Sequence, residues 1–141
     1  MYIFDAITGA VLNQKQIVRP FLVSDIPCND ISGTIGVTGT PVIDPATDTV
    51  YLYTKTYADT QNGVYNGRYL FHALDINTLD ERAGFPINIE GSVADNDATR
   101  YFNGGTHLQR PSLILINGIV YGGFGGHCDL VGPEKYMASP S

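Results

Sequence analysis

Basic side chains are scarce in this sequence, and so are long apolar runs and catalytic signatures. Lys and Arg total 8 in 141 residues, and the net charge is −6. Phosphate binding needs a basic stripe, so no nucleic-acid partner is expected. No apolar run approaches the roughly 18 to 20 residues of a membrane span. The patterns G-x-S-x-G and H-E-x-x-H and the P-loop are absent, so nucleophilic, zinc-protease and nucleotide-binding chemistry have no support.

Cysteine is limited to Cys28 and Cys128. A disulfide between them would close a long loop, contribute about 2 to 4 kcal/mol and suit an oxidising compartment. Two free, partly buried thiols are the alternative, and the sequence leaves both open. No CxxC or clustered Cys/His spacing is present, so no metal site is expected. The opening residues MYIFD lack the basic and long apolar regions of a signal peptide, so secretion would require a leader that this sequence does not include.

What the sequence does contain is short strands separated by turns. Hydrophobic residues make up 43% and charged residues 16%, with 16 glycines and 8 prolines at intervals, which indicates a folded all-β domain. Asn117-Gly118 between two apolar segments predicts a type I′ hairpin. The polar stretch 90–106 is expected to be a loop. Strands are predicted at 2–6, 17–23, 40–43, 50–57, 69–76, 85–89, 112–116 and 119–123.

The chain also repeats itself at an offset of 70 residues, without a gap. The matching pairs are Asp5 and Asp75, Thr8 and Thr78, Pro41 and Pro111, Val50 and Val120, and Tyr51 and Tyr121. A fixed period of this kind is typical of propellers and other repeat arrays. The strand order predicts an outer half-blade at 1–32, a complete four-stranded blade at 33–96, an inner half-blade at 97–136 and a frayed tail at 137–141.

Several motifs resemble the PQQ-like, or quinoprotein-type, β-propeller repeat of extracellular bacterial and fungal proteins. The segments ALDINT at 73–78 and FDAITG at 4–9 resemble its A-h-D-x-x-T-G turn. IGVTGTPVIDP at 35–45, QRP at 109–111 and NGIVY at 117–121 are similar to the same family. In such a turn an Asp side chain bonds the following backbone. The resemblance covers most of the chain and implies a propeller that is extracellular or secreted.

Two departures from the family bear on its chemistry. Quinoprotein dehydrogenases usually carry a Trp after the Thr-Gly, whereas this chain has no Trp, and Leu79 stands where the turn expects Gly. No cofactor is therefore expected; PQQ and Ca²⁺ belong only to the alternative in which the chain is part of a PQQ-dependent alcohol or sugar dehydrogenase.

Five residues are candidate ligand-binding groups. His127 and Asp129 could bind a metal or move a proton, or they could form a polar loop at a blade edge. Arg110 could bind an anion near the propeller axis or bond a loop carbonyl. Lys55 and His72 lie on neighbouring strands, where solvated side chains are expected and ligand binding is the alternative.

Two further groups are open to the same choice. Asp95-Asn96-Asp97 lacks the spacing of a calcium loop and is expected to be a solvated acidic loop. Five tyrosines could stack on a sugar or pack within a blade; they are Tyr51, Tyr53, Tyr57, Tyr65 and Tyr69.

Fold and composition together predict a non-catalytic structural or binding module. A PQQ-dependent dehydrogenase and a carbohydrate-binding propeller lectin with glycan ligands are the alternatives. Open half-blades leave unpaired strand edges, so the chain is expected to be incomplete alone. Further blades of one longer polypeptide could complete it, or three to four copies could close a ring of about six to eight blades.

Overall fold

The computed structural model describes residues 1–129, which form short strands in small antiparallel sheets and confirm the all-β prediction. Brief 3₁₀ turns occur at Val23–Asp25 and Val64–Asn66. Within residues 1–129, no helix has the length and apolar character needed to cross a membrane. The strands are β1 Tyr2–Phe4, β2 Val11–Gln14, β3 Phe21–Leu22, β4 Thr34–Ile35, β5 Val42–Asp44, β6 Thr49–Tyr57, β7 Gly67–Asp75, β8 Ile87–Asn88, β9 Val93–Ala94, β10 Asp97–Tyr101, β11 His107–Leu108, β12 Ile114–Ile116, β13 Ile119–Tyr121 and β14 Gly125–Gly126.

The middle of the chain forms one four-stranded sheet in the order β5-β6-β7-β8, called the central sheet below. Its long strands β6 and β7 pair over all nine residues, from Thr49 opposite Asp75 to Tyr57 opposite Gly67. Both strands are rich in β-branched and aromatic residues, which favour this pleated backbone. The structure therefore confirms the strands predicted at 50–57 and 69–76, with small differences at their ends.

Two-stranded hairpins lie on either side of the central sheet in sequence. The first hairpin is β1–β2, and the last hairpin is β12–β13. Two side chains join the first hairpin to the turn that follows β7. Asn13 of β2 donates to the carbonyls of Asn77 and Thr78, and Lys15, just after β2, pairs with Asp80 at 2.8 Å. Three further two-stranded pairs, β3–β4, β9–β10 and β11–β14, complete the described sheets.

Two sequence predictions of local structure are wrong. The strand predicted at 17–23 is not the partner of β1, because the turn after Asp5 closes a tight hairpin and β2 follows at Val11–Gln14; only Phe21–Leu22 of that segment is a strand, paired with β4. The loop predicted at 90–106 contains the hairpin β9–β10, which turns at residues 95–96 and includes the boundary placed between 96 and 97. The tail predicted at 137–141 lies outside the described residues.

The turns after Asp5 and Asp75 share the hydrogen bonds that their backbone N–H groups donate. Asp5 Oδ1 accepts from the N–H groups of Ile7 and Thr8 at 3.0 and 2.6 Å, and Asp75 Oδ1 accepts from the two equivalent N–H groups at 2.8 and 3.0 Å. The backbone bonds that close the two turns also recur at the offset of 70. The repeat seen in the sequence is therefore a repeat of hydrogen bonds.

One position of this turn requires a left-handed backbone, which a residue without Cβ adopts most easily. Gly9 has it with φ +71°, and Leu79 has it with φ +61°. The Leu79 side chain is buried, whereas a Cβ on Gly9 would meet open space. Burial of an apolar side chain offsets the strain at Leu79, which explains how this copy departs from Gly.

The last hairpin follows β5–β6 with a shorter connection. Asn117 and Gly118 both have positive φ, 51° and 77°, which confirms the predicted two-residue turn. Residues 45–48 make a four-residue connection between β5 and β6. As a result β13 matches β6 at the offset of 70, whereas β12 matches β5 at 72. The match of Pro41 with Pro111 in the sequence is therefore not a match of position in the hairpins.

The two faces of the central sheet carry different side chains. Val50, Leu52 and Leu74 are buried on one face, with Ile17 and Ile76 packed against them. The opposite face carries a half-buried aromatic group in which each ring contacts another, with centroids 4.8 to 6.5 Å apart: Tyr51, Tyr53, Phe71 and Phe85. A second core packs around β3 and β4, and its members are Phe21, Val23, Ile26, Cys28, Ile35, Tyr57 and Leu108.

Candidate functional site

The most unusual polar group of the molecule is Lys55, whose side chain is 0% exposed. Its ammonium nitrogen donates to the carbonyls of Gly105 at 2.9 Å and His107 at 2.8 Å, and it lies 3.1 Å from Nε2 of His127. An ammonium group has three N–H donors, and these three acceptors match that number. Lys55 is therefore not the solvated side chain that its strand pattern predicts.

Strand pairing and two aromatic rings bring Lys55 to this position. On β6 it lies opposite Tyr69 of β7, and its backbone N–H donates to the carbonyl of Gly36 at 2.8 Å. Its ammonium is 4.8 Å from the ring centre of Phe21 and 5.5 Å from that of Tyr69. Ring faces attract a cation, so these rings reduce the cost of its burial.

The carbonyl of Gly105 reaches Lys55 because the backbone there packs without side chains. A Cβ placed on Gly105 would overlap the carbonyl of Val64, and a Cβ on Gly67 would lie 2.8 Å from Cα of Gly105. Real Cβ atoms do not approach backbone this closely, so both positions require glycine. The two glycines let the segment that leads into β11 pass close to the first residue of β7. In this position its backbone carbonyls reach the amine of Lys55.

His127 extends the polar contact to a carboxylate. Its Nδ1 lies 3.0 and 3.1 Å from the two oxygens of Asp30, and its side chain is 0% exposed. Because Lys55 donates to Nε2, the ring carries its proton on Nδ1 and donates it to Asp30. The Lys55 cluster, as defined here, consists of Lys55, His127, Asp30 and the carbonyls of Gly105 and His107.

A disulfide lies directly beside this cluster. The structure joins Cys28 to Cys128, next in sequence to His127, with Cα atoms 6.0 Å apart. Donor atoms of Cys28, Asp30 and His127 lie within 4.8 Å of one another, a spacing that could hold a metal ion. A disulfide sulfur is not a thiolate, so the Cys28 ligand is lost and this set does not form a metal centre.

Burial sets the protonation of these groups. Burial lowers the pKa of Lys55 to about 7, while the charges of Asp30 and Glu90 oppose the change. Burial also lowers the pKa of His127, against the hydrogen bond to Asp30 and with the nearby Lys55 charge. For Asp30, burial alone would raise the pKa, but the bond and charge of His127 and two backbone N–H groups bring it below its ordinary value.

The Lys55 cluster has the atoms of a proton relay, but Asp30 is its only exposed residue. A carboxylate, an imidazole and an amine stand in line, as in sites of acid–base catalysis. However, Lys55 and His127 are fully buried, and the acceptors around Lys55 use all of its donors. No atom of the amine is free to meet a substrate. The cluster holds three distant parts of the chain together.

His72 belongs to a second, separate contact on β7. Its Nε2 accepts from the hydroxyl of Thr54 at 2.8 Å, and its Nδ1 donates to the carboxylate of Glu81. The side chain is buried, so His72 is also not solvated. Oε2 of Glu81 is buried and has no hydrogen-bond partner among the described residues. This contact joins the segment after the turn that follows β7, which carries Glu81, to Thr54 on the neighbouring strand β6.

Of the other candidates, only Tyr69 is described beside either contact, where its ring faces the Lys55 ammonium. Arg110 is exposed. The side chain of Asp129 lies outside the part of the chain that the structure describes. Asp97 accepts from Thr99 N–H at 2.9 Å within the β9–β10 hairpin and pairs with Arg100. Tyr51 and Tyr53 pack against other rings, and Tyr69 is buried.

Five participating residues were not among the candidates predicted from the sequence, namely Asp30, Thr54, Glu81, Gly105 and His107. Asp30 is 97 residues from His127, so no local spacing reveals that pair. The signal available for Asp30 was its place two residues after Cys28, once the disulfide is assumed. Glu81 aligns with Val11 at the offset of 70, and the structure pairs the two in the same way, Glu81 with Leu74 and Val11 with Phe4. The sequence did not predict a strand at Val11, so it gave no signal for Glu81.

Comparison of the chain with models of protein families, with curated proteins and with solved structures gives no match.

Proposed function

We propose that this chain is a non-catalytic, extracellular structural or binding module built from β-propeller blades of the PQQ-like type. The observation that carries the proposal is the order of sheets along the chain. A hairpin with the turn of β7, a complete four-stranded sheet, and a hairpin matching β5–β6 follow one another. In this interpretation the central sheet is one blade, and the two hairpins are the outer and inner halves of its neighbours.

The non-catalytic part of the proposal is supported by the state of the polar groups. Lys55, His127 and His72 are buried, and their polar atoms contact groups of the same chain. Catalytic groups need contact with substrate, usually in a cleft with free donors or acceptors. These side chains instead connect strands and loops, as structural hydrogen bonds do.

The extracellular part of the proposal is supported by the disulfide. Cys28 and Cys128 are 100 residues apart and form a bond that encloses most of the described chain. Structural disulfides of this kind persist in oxidising compartments and are rare in the cytosol. The partners that we propose are further blades of the same type, supplied by other copies or by more chain.

Addition of PQQ with Ca²⁺ to the purified protein tests the proposal against a dehydrogenase. We expect no PQQ-dependent absorbance change and no dye reduction with alcohols or sugars. A known quinoprotein dehydrogenase in the same assay is the positive control. Saturable, PQQ-dependent dye reduction by this chain would overturn the proposal.

A glycan array then separates a structural role from sugar binding. The aromatic group on the central sheet is the surface that a sugar would use. Because its rings contact one another, we expect no glycan signal. Binding that disappears in Tyr51→Ala and persists in Tyr65→Ala, at an exposed tyrosine outside the group, would instead identify a lectin.

A further inference from the structure

Two strand edges of this molecule expose apolar side chains in regular alternation. On β1, Tyr2 is 58% exposed and Phe4 is 56% exposed, with their rings stacked 5.8 Å apart. On β13, Ile119 is 55% exposed and Tyr121 is 52% exposed. Among residues 1–129, β1 pairs only with β2, and β13 pairs only with β12. Within these residues both strands of each hairpin have a free outer edge, and β1 and β13 are the two whose equivalents in the central sheet, β7 and β6, pair with each other.

The equivalent positions of the central sheet are covered. Phe4 corresponds to Leu74, which is 1% exposed, and Ile119 corresponds to Thr49, which is also buried. The difference has one structural cause: β6 and β7 pair with each other, whereas their equivalents β13 and β1 do not. The free edges of β13 and β1 are therefore the equivalents of the two edges that β6 and β7 join in the central sheet.

We propose that copies of this chain associate head to tail, with β13 of one copy pairing antiparallel with β1 of the next. This inference rests on the proposed blade fold. The pairing of β6 with β7 supplies the register, because Val50 lies opposite Leu74 and Tyr51 opposite Ala73. At the offset of 70 residues, Val120 lies opposite Phe4 of the next copy, and Tyr121 lies opposite its Ile3.

In this pairing, side chains of the last hairpin and of the next copy's first hairpin would lie on the same face, next to the central sheet. Phe124, the equivalent of Thr54, contacts Tyr53 on the aromatic face of the central sheet with ring centres 5.0 Å apart. Gly122, the equivalent of Leu52, lies beside the same ring, because a Cβ added to it would be 2.9 Å from a ring carbon of Tyr53. Leu52 and Thr54 share their face with Leu74 and His72. Side chains at the positions of His72 and Leu74 would therefore continue the surface that Gly122 and Phe124 begin.

In the next copy those two positions are Tyr2 and Phe4. Their stacked rings would extend from the last hairpin of the first copy over the half-buried rings of its central sheet, Tyr51, Phe71 and Phe85. Aromatic rings pack favourably edge to face or offset, as the rings of that group already do. One association thus covers both the exposed pair and the open aromatic face.

A cavity at the other end of the molecule fits the same arrangement. An open, mainly apolar cavity of about 530 Å³ lies between the first hairpin and the face of the central sheet that carries Leu52 and Thr54. Its apolar lining includes Met1, Ile17, Val18, Pro20, Val37 and Pro41. The last hairpin of the preceding copy would reach this cavity with Tyr121, as the equivalent Tyr51 reaches towards the following hairpin in the present chain.

Head-to-tail contacts use different surfaces on the two partners, and they form a ring when the rotation between copies closes, as it does between the blades of a propeller. Each copy contributes one complete blade and two halves, so three or four copies give about six to eight blades. The expected mass is three or four times the 15.3 kDa of one chain, about 46 or 61 kDa.

Two variants that each break one edge test the direction of assembly. Phe4→Asp places a charge on the edge of β1, and Val120→Asp places one on the edge of β13; charges on edge strands oppose pairing. In native mass spectrometry we expect each variant alone at 15.3 kDa and their equimolar mixture at twice that mass. Ile7→Asp, at an exposed turn residue outside the pairing, is the matched control and should still form the ring.

Circular dichroism and a thiol titration establish that each variant is folded with its disulfide intact. Should an aspartate variant fail to fold, oxidation of the double variant Phe4→Cys/Val120→Cys replaces it. Directly opposed strand positions place Cβ atoms about 4.5 to 5.5 Å apart, so a covalent link between copies is expected. The control Phe4→Cys/Ile116→Cys, with one cysteine on β12, should give no such link.

A folded wild-type chain that stays at 15.3 kDa at tens of micromolar would overturn the inference. The free edges would then belong to a segment of a longer polypeptide, and the proposed function would stand. A mixture of the two edge variants that gives no complex while the wild type assembles would overturn the head-to-tail pairing. PQQ-dependent dye reduction would instead overturn the proposed function, whatever the mass.

Discussion

The central sheet and the two hairpins beside it contain equivalent residues in different surroundings. Leu74 and Phe4 follow the same strand pattern and precede the same Asp turn, yet Leu74 is buried and Phe4 is exposed. Hydrogen bonds within the turn are local, so both copies make them. Burial of the strand side chains depends on the neighbouring strand. The comparison teaches that the repeat specifies the turn, while the pairing of strands determines the core.

The largest difference should come from removing Lys55. Lys55→Ala leaves two buried carbonyls and His127 without their donor and opens a cavity, so we expect a loss of about 3 to 5 kcal/mol in the free energy of unfolding. The equivalent position at the offset of 70 is Gly125, where an added Cβ meets open space. Gly125→Ala should stay within about 0.5 kcal/mol of the wild type.

Urea unfolding followed by circular dichroism measures both variants. Equal losses at the two positions would contradict the contrast between the central sheet and its neighbours.

A second large difference is expected at the end of β7. Leu74→Ala removes a buried side chain from the core of the central sheet and should cost about 3 kcal/mol. Phe4→Ala, at the equivalent exposed position, should cost less than about 1 kcal/mol in the unassembled chain. Thermal unfolding of each variant at low concentration measures both. A large effect of Phe4→Ala under those conditions would mean that the first hairpin is already covered.

The left-handed turn position allows an intermediate test. Leu79→Gly loses a buried side chain but relieves the strained backbone, with an expected net loss of about 2 kcal/mol. Gly9→Leu introduces the same strain without burial and should cost about 1 kcal/mol. Chemical denaturation measures the pair. A stabilising effect of Leu79→Gly would show that strain outweighs packing at this position.

The last expected effect is a dependence of stability on pH, and it concerns the protonation of Lys55. The pKa of Lys55 is about 7 in the folded protein, below its ordinary value of 10.5. Between these two values the unfolded chain binds more protons, so stability should rise as pH rises from about 7 to 10.5, by at most about 1.4 kcal/mol per pH unit. Below pH 7 this contribution no longer changes, because both states are protonated.

Lys55→Met removes the titrating group and keeps the length of the side chain. The urea concentration at the unfolding midpoint should therefore rise with pH in the wild type more than in Lys55→Met across this range. A constant difference between the two proteins from pH 7 to 10 would contradict the assigned pKa of Lys55.

The sequence was sufficient for the features that depend on neighbouring residues. Asn117-Gly118 predicted its turn because few other pairs accept two positive φ angles, and Asp75 with Thr78 predicted a turn that is closed by bonds over three residues. The pattern of β6 and β7 was strong because both strands are long and rich in β-branched and aromatic residues. These are local preferences, and they need no knowledge of the rest of the chain.

Features that depend on distant contacts could not be predicted in the same way. Lys55 shares one face of β6 with three tyrosines. Nothing in that pattern indicates that carbonyls 50 and 52 residues away will surround its amine. The β9–β10 hairpin was missed because its polar composition resembles that of a loop. Its strands persist because Phe102 and Gly91 add backbone bonds beside the ladder.

The bond between Cys28 and Cys128 also has a mechanical consequence. Tension applied to the chain on either side of this pair would pass through the two sulfurs and would not reach the residues between them. The central sheet and the Lys55 amine lie within that protected interval. Under a pulling force the chain before Cys28, which includes the first hairpin and β3, could extend while the bond is intact. Such a molecule would resist shear as a closed loop, whatever the strength of its individual strand pairings.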